Sequence, residues 1–270
     1  MSLWEPVPVG VDEDGQPVTM SLPERNVLLG GEPGGGKSVA QSQLVAAAAL
    51  DPDVDLYLFD GKRVELAPWA PCAVETVGPD VQAANGVLDR LGKEMETRYD
   101  LLVGQGRRKV EEGDGLRLAV VVVDELAYYT AGGADRAAKA LRAEFSERLH
   151  ALVARGRAAG IIVLAATQKP SADIVPTYLR DLFGFRWALR CSTPQASDTI
   201  LGQGWASRGY SATDVPAEAR GVGYLLAEGG QPVRLRSYHL DDDTLTRVAD
   251  RAAALRAGRP AAATGWEAAA

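Results

Sequence analysis

The chain has 270 residues, with 29 Lys and Arg against 36 Asp and Glu, for a net charge of −7. Hydrophobic residues make up 46% and charged residues 24%, the composition of a folded globular protein with room for a sizeable core rather than a disordered one. The acidic balance excludes a polybasic nucleic-acid binder, the distant pair Cys72 and Cys191 excludes a disulfide framework, and His150 and His239 cannot form a histidine-rich metal site.

Residues 1–24 contain five carboxylates and no Lys or Arg, so most of the acidity sits in an N-terminal segment. Residues 1–25 read as an acidic arm or hairpin, turning at Asp12, Glu13, Asp14 and Gly15. They lack the basic and apolar regions of a signal peptide, and no apolar run in the chain is long enough to span a bilayer. A cytoplasmic location without direct membrane insertion is expected.

An apolar run over 26–30 is followed by a glycine cluster and then by a helical pattern over 37–50, broken at Asp51 and Pro52. Residues 54–60 read as a buried strand ending in a carboxylate. Residues 80–103 carry Val81, Val87, Leu88, Leu91, Met95 and Leu102 at helical spacing. The β-branched run in 116–125 fits a central strand covered on both faces. A helix over 134–155, strands over 160–168, 183–191, 221–227 and 232–240, and a helix over 244–255 complete the pattern. Strands alternating with helices predict an α/β fold with a mainly parallel central sheet flanked by helices. One domain is expected over 26–240, followed by a C-terminal helix and a frayed tail over 241–270.

Residues 31–38, GEPGGGKS, have the form G-x-x-x-x-G-K-S between a predicted strand and a predicted helix, the setting that gives the motif its meaning. Gly31, Gly34, Gly35 and Gly36 let backbone N–H groups wrap a polyphosphate, with Glu32 and Pro33 completing the loop and Val39 entering the helix. Lys37 can reach the β- and γ-phosphates, and the Ser38 hydroxyl can ligate Mg²⁺. The competing reading, a glycine-rich turn that happens to contain Lys-Ser, does not explain the strand–loop–helix setting.

Val120–Val123 lead into Asp124 and Glu125. Beside a phosphate loop, Asp124 can hold Mg²⁺ and Glu125 can act as general base on the attacking water. Thr167 and Gln168 end a buried strand, where open α/β sheets bind ligands. A polar residue there can sense the γ-phosphate, although an ordinary strand-end turn looks the same. ATP and Mg²⁺ are the cofactors these motifs imply.

Taken in order, residues 9–39, LFDGKRVELAPW (58–69), EMETRYDLL (94–102), VVVVDELA (120–127), GRAAGIIVLAATQKPSADIV (156–175) and SDTILGQG (197–204) resemble the motor domain of the FtsK/SpoIIIE (HerA–FtsK) DNA translocases. Within that family the chain looks most like the FtsK-like transfer proteins of actinobacterial conjugative elements. The phosphate loop alone is generic, whereas GRAAG followed by ATQKPS is specific. The resemblance implies a RecA-like P-loop fold, a homo-hexameric ring, ATP hydrolysis between subunits and movement along double-stranded DNA. It matches Lys37 and Ser38 to Walker A, Asp124 and Glu125 to Walker B, Gln168 to the polar sensor, and Lys169 to a basic loop that faces DNA. Arg157 and Arg186 match recurrent arginines, either of which is a candidate to reach a neighbour's γ-phosphate. The family commonly reads D-S-R-T-I-L where this chain has Asp198 in the arginine's place. Hydrolysis is then expected to need another donor or to be slow. The segment after Leu240 is short for a sequence-reading winged-helix module, so DNA choice and membrane attachment are expected from partners.

Local charge supports DNA contact. Over 135–157, Arg136, Lys139, Arg142, Arg148, Arg155 and Arg157 outnumber Asp135, Glu144 and Glu147 by three. Arg107, Arg108 and Lys109 form a second cluster. Each can equally be a solvated surface. With aromatics at 6%, Trp69, Tyr99, Tyr128, Tyr129 and Trp205 are expected to be packing residues rather than base-stacking platforms. The leading expectation is an ATP-hydrolysing double-stranded DNA translocase for conjugative plasmid or integrative-element transfer. Its rivals are an ATPase of a type VII-like protein secretion system and a hydrolysis-poor, ATP-binding regulatory ring subunit.

Overall fold

The computed structural model describes residues 1–257, so the tail expected after Gly258 lies outside the described residues. Ten strands form one sheet in the order β2-β1-β10-β9-β8-β3-β7-β6-β4-β5. In chain order they are β1 (Val7–Asp12), β2 (Pro17–Met20), β3 (Val27–Gly30), β4 (Val54–Phe59), β5 (Glu75–Val77), β6 (Leu118–Val123), β7 (Ile161–Thr167), β8 (Phe185–Leu189), β9 (Val222–Ala227) and β10 (Val233–Ser237). The segment from β8 to β5 is parallel, and β8, β9, β10, β1 and β2 pair antiparallel. The parallel core is as expected. The acidic hairpin is the outer edge of the same sheet, with Val7, Val9 and Met20 in its core.

The central strands are buried because both faces are covered. Every residue of β3, β6 and β7 is buried. One face carries α1 (Lys37–Leu50), whose run of alanines lets α7 (Asp242–Arg256) pack closely on it. The other carries α2 (Val81–Gly104), α3 (Leu126–Thr130) and α4 (Arg136–Arg155). The residues predicted to line the inner stripe of α2 are all buried there. Two short helices, α5 (Thr177–Arg180) and α6 (Pro194–Leu201), flank β8.

Most helix starts follow from local chemistry. Asp80, Asp135, Thr193 and Asp241 each accept a hydrogen bond from the backbone N–H three residues on, satisfying one orphan donor of α2, α4, α6 and α7. Like the one-turn α5, helix α1 is an exception. Its N-cap is Gly36 at φ 98°, with no side-chain cap, so the first N–H groups of α1 stay open to a ligand. The aromatic residues expected to pack do so. Trp69 and Tyr129 are fully buried, and Tyr129 stacks on Phe145 at 5.0 Å.

Candidate active site

The phosphate loop spans the gap between β3 and α1 at the C-terminal edge of the parallel strands. Its entry is pinned by two backbone bonds: Gly31 N–H donates to Thr167 O at 3.2 Å, and Glu32 N–H donates to Arg190 O at 2.9 Å. Gly34 and Gly36 lie in the left-handed region, at φ 80° and 98°. At Gly36 the requirement is steric as well, because a Cβ there would sit 2.6 Å from the Gly221 nitrogen. Gly221 N–H in turn donates to Gly35 O at 3.1 Å, so the start of β9 packs backbone-to-backbone on the loop.

Lys37 is buried and directed at the end of β6. Its Nζ donates to Asp124 O at 3.0 Å and lies 3.3 Å from Asp124 Oδ1. Burial pushes the Asp124 carboxyl above the usual carboxylate range, and the Lys37 charge opposes that rise. Asp124 Oδ2 is buried with no hydrogen-bond partner among the described residues. An orphaned carboxylate oxygen on the residue that Lys37 contacts, with the Ser38 hydroxyl next in sequence to Lys37, is the donor chemistry a hard divalent cation takes, so these residues fit Mg²⁺. Among the described residues no cluster of three or more His, Cys, Asp or Glu could hold a metal by itself.

Glu125 is tied down differently. Its Oε1 accepts from Thr167 Oγ1 at 2.7 Å and from Ala127 N–H at 3.3 Å, and its Oε2 accepts from Gln168 N–H at 2.9 Å. Gln168 lines a cavity of about 450 Å³ together with Gly36, Lys37 and Ser38. Arg220, Arg236 and His239 form the cavity's other wall. Their role was not legible from the sequence, because it depends on the antiparallel return of β9 and β10 to the phosphate loop. The only local trace is the Arg220-Gly221 pair ahead of an apolar strand. Arg190 was also missed. It follows β8 and pairs with Glu32 of the loop, Nη1 to Oε1, at 2.6 Å.

The two arginines suggested by resemblance do not line this cavity. Arg157 precedes β7, at the opposite edge of the sheet, where its guanidinium engages Glu228 and the carbonyl of Glu24. Arg186 pairs with Leu28 in mid-strand, half-buried beside Asp181. Burial, reinforced by Arg180, disfavours its charge. Asp198, the departure from the family pattern, accepts from Gly204 N–H at 2.9 Å and Ala206 N–H at 2.8 Å and so holds the turn after α6.

The basic run on α4 divides into paired and unpaired cations. Arg148 and Arg155 pair with carboxylates of α2, and Arg142 donates to Ala131 O. Arg136 and Lys139 are exposed with no carboxylate partner among the described residues. In the second cluster, Arg107 pairs with Asp114 and Lys109 with Glu24, which neutralises most of it. Lys169 is exposed just past β7, and α4 begins beyond the end of β6. Lys139, Arg136 and Lys169 therefore share the sheet edge that carries the phosphate loop. Cys191 is an inert core residue, its thiol pushed up to about 12 by burial.

A glycine-built phosphate loop opening an uncapped helix, a lysine on a strand-end aspartate and a glutamate beside it define a P-loop ATPase. Such sites cradle the phosphates with backbone N–H groups and place a base beside the γ-phosphoryl group.

The chain belongs to the FtsK/SpoIIIE family, which it matches over residues 3–209. It is 29% identical over 256 residues to the DNA translocase SftA of Bacillus subtilis (strain 168), covering 89% of this chain and 25% of that protein. It is 30% identical over 225 residues to a DNA translocase FtsK of Staphylococcus epidermidis, covering 75% of this chain and 27% of that one. The chain thus spans about a quarter of the length of these relatives. Among solved structures, the monomer of the pCW3 conjugation coupling protein TcpA with ATPγS superposes with a TM-score of 0.77 at 25% identity, over 92% of this chain and 70% of that one. EssC (ATPases 2 and 3) from Geobacillus thermodenitrificans superposes with a TM-score of 0.74 at 16% identity, over 94% and 50%, and shares the fold. No helix among the described residues is long and apolar enough to cross a membrane.

Proposed function

We propose that this chain is the motor of an ATP-driven double-stranded DNA translocase that acts in conjugative plasmid or integrative-element transfer, working as a homo-hexamer on the cytoplasmic side of a membrane-anchored partner. The observation that carries this reading is the exposure of Arg136, Lys139 and Lys169 on the sheet edge that also carries the phosphate loop. Likeness to a conjugation coupling protein supports the biological role. Residues 26–240 are the motor proper in this reading, with the acidic hairpin and α7 flanking it.

The phosphate-loop amides and Lys37 bind and orient the polyphosphate. Ser38 and Asp124 would hold Mg²⁺, and the ion would supply charge neutralisation on the phosphates. Glu125 takes a proton from the attacking water, and Gln168 orients that water from the cavity wall. A cation from a neighbouring subunit stabilises the developing charge, with Arg157 and Arg186 as candidates. The test is displacement of a triplex-forming strand from a long duplex in the presence of ATP. Displacement that Lys37→Ala abolishes supports the reading. ATP turnover without displacement, raised instead by a secretion-signal peptide, favours a protein-secretion ATPase.

A further inference from the structure

Thr167 is fully buried at the end of β7 and makes three separate connections. Its carbonyl accepts from Gly31 N–H of the phosphate loop at 3.2 Å. Its Oγ1 donates to Glu125 Oε1 at 2.7 Å and accepts from Lys169 N–H at 3.0 Å. A hydroxyl carries one proton. A carboxylate only accepts, so the proton of Thr167 is directed at Glu125, while Lys169 N–H occupies a lone pair of the same oxygen. The hydroxyl thus links Glu125 to the backbone of the loop that follows β7.

A carboxylate offers about four lone-pair positions. On Glu125, both positions of Oε1 are taken by Thr167 and Ala127, and one position of Oε2 is taken by Gln168 N–H. One lone pair on Oε2 remains for water. The carboxylate is therefore oriented, not blocked. Two of its three donors come from residues 167 and 168, adjacent to Lys169, so a shift of that loop turns the base.

We infer that Thr167 is a positioning residue: its hydroxyl fixes Glu125 for proton abstraction and couples it to the loop over 168–176, so that what binds Lys169 is felt at the base. The inference rests on the motor reading for the identity of that ligand, and on the hydrogen bonds alone for the positioning. Thr167→Val removes the hydroxyl and keeps the shape. It is expected to lower kcat roughly 10- to 100-fold, to leave KM for ATP within about twofold, and to abolish the response to long duplex DNA. Thr167→Ser is expected to restore kcat and the DNA response. Thr167→Ala replaces Val if the latter does not fold, as judged by circular dichroism. A Val variant that keeps kcat and its DNA response overturns the inference, as does a Ser variant as impaired as Val. If the unmodified protein ignores DNA, the motor reading fails and the loop coupling with it. The kcat–KM comparison of Val and Ser without DNA then still decides the positioning.

Discussion

Lys37 and Asp124 form a buried ion pair across the phosphate loop, Nζ to Oδ1 at 3.3 Å, with side chains 2% and 0% exposed. The pair joins the first residue of α1 to the end of β6. It keeps the two groups that must face a nucleotide in register. It also buries a carboxylate whose ionised form the fold disfavours.

Asp124→Asn should abolish hydrolysis and flatten the dependence of stability on pH. The folded pKa of Asp124 lies above its unfolded value, so the native state holds that proton to higher pH than the unfolded state. This contribution to stability is fully present below the unfolded pKa and is lost as pH rises through the raised folded value. Thermal melts from pH 4 to 7 should show a smaller fall for Asp124→Asn than for the parent. Lys37→Ala leaves the carboxylate unpaired and should cost on the order of 1–3 kcal/mol.

Gly36→Ala should abolish ATP binding. The residue sits at φ 98°, and a Cβ would lie 2.6 Å from Gly221 N. The conformational cost alone is about 1–3 kcal/mol, and the clash would push β9 off the loop. Fluorescent-nucleotide titration should show no saturable binding, whereas Gly15→Ala, equally left-handed but with open space around it, should bind as the parent does.

The C-terminal helix holds the end of α1 that is far from the phosphate loop. Arg256 of α7 donates to the carbonyls of Ala48, Ala49, Asp51 and Val54, closing the open C-terminal end of α1. These are charge-assisted bonds to helix-end carbonyls. Arg256→Ala should destabilise by roughly 2 kcal/mol, read as a shifted urea midpoint with little change in slope. A midpoint that does not move would mean that water replaces the guanidinium at no cost.

Much of this site was legible because the chemistry is contiguous. Residues 31–38 carry their spacing in one loop, and Val120–Val123 announce a buried strand whose next residue must face a ligand. The sheet's parallel core followed from the alternation of strands and helices. What escaped depends on long-range return. Arg220 and His239 reach the cavity only because β9 runs back antiparallel beside β8 and β10 returns antiparallel beside β9. The pairing of Arg107 with Asp114 and of Lys109 with Glu24 turned a basic cluster into a neutral one, which charge counting cannot foresee. Asp198 shows the same limit, since its work is to hold a turn by two backbone bonds.

Arg136→Glu and Lys139→Glu should weaken duplex DNA binding. Each phosphate contact removed should reduce the slope of log affinity against log salt by about 1. Fluorescence anisotropy with duplexes of unrelated sequence should show the same loss for each, as expected of backbone contacts. Arg108→Glu, in the cluster whose neighbours are already paired, should change the slope little. A loss confined to one sequence would point to base contacts instead.

The decisive measurement is steady-state ATP hydrolysis by the purified protein with and without long duplex DNA, with Lys37→Ala as the control. A DNA-translocating ATPase is expected to turn over ATP several-fold or more faster with the duplex, and the Lys37→Ala variant should be silent in both conditions. A rate that Lys37→Ala abolishes but that duplex DNA leaves unchanged would contradict a DNA motor.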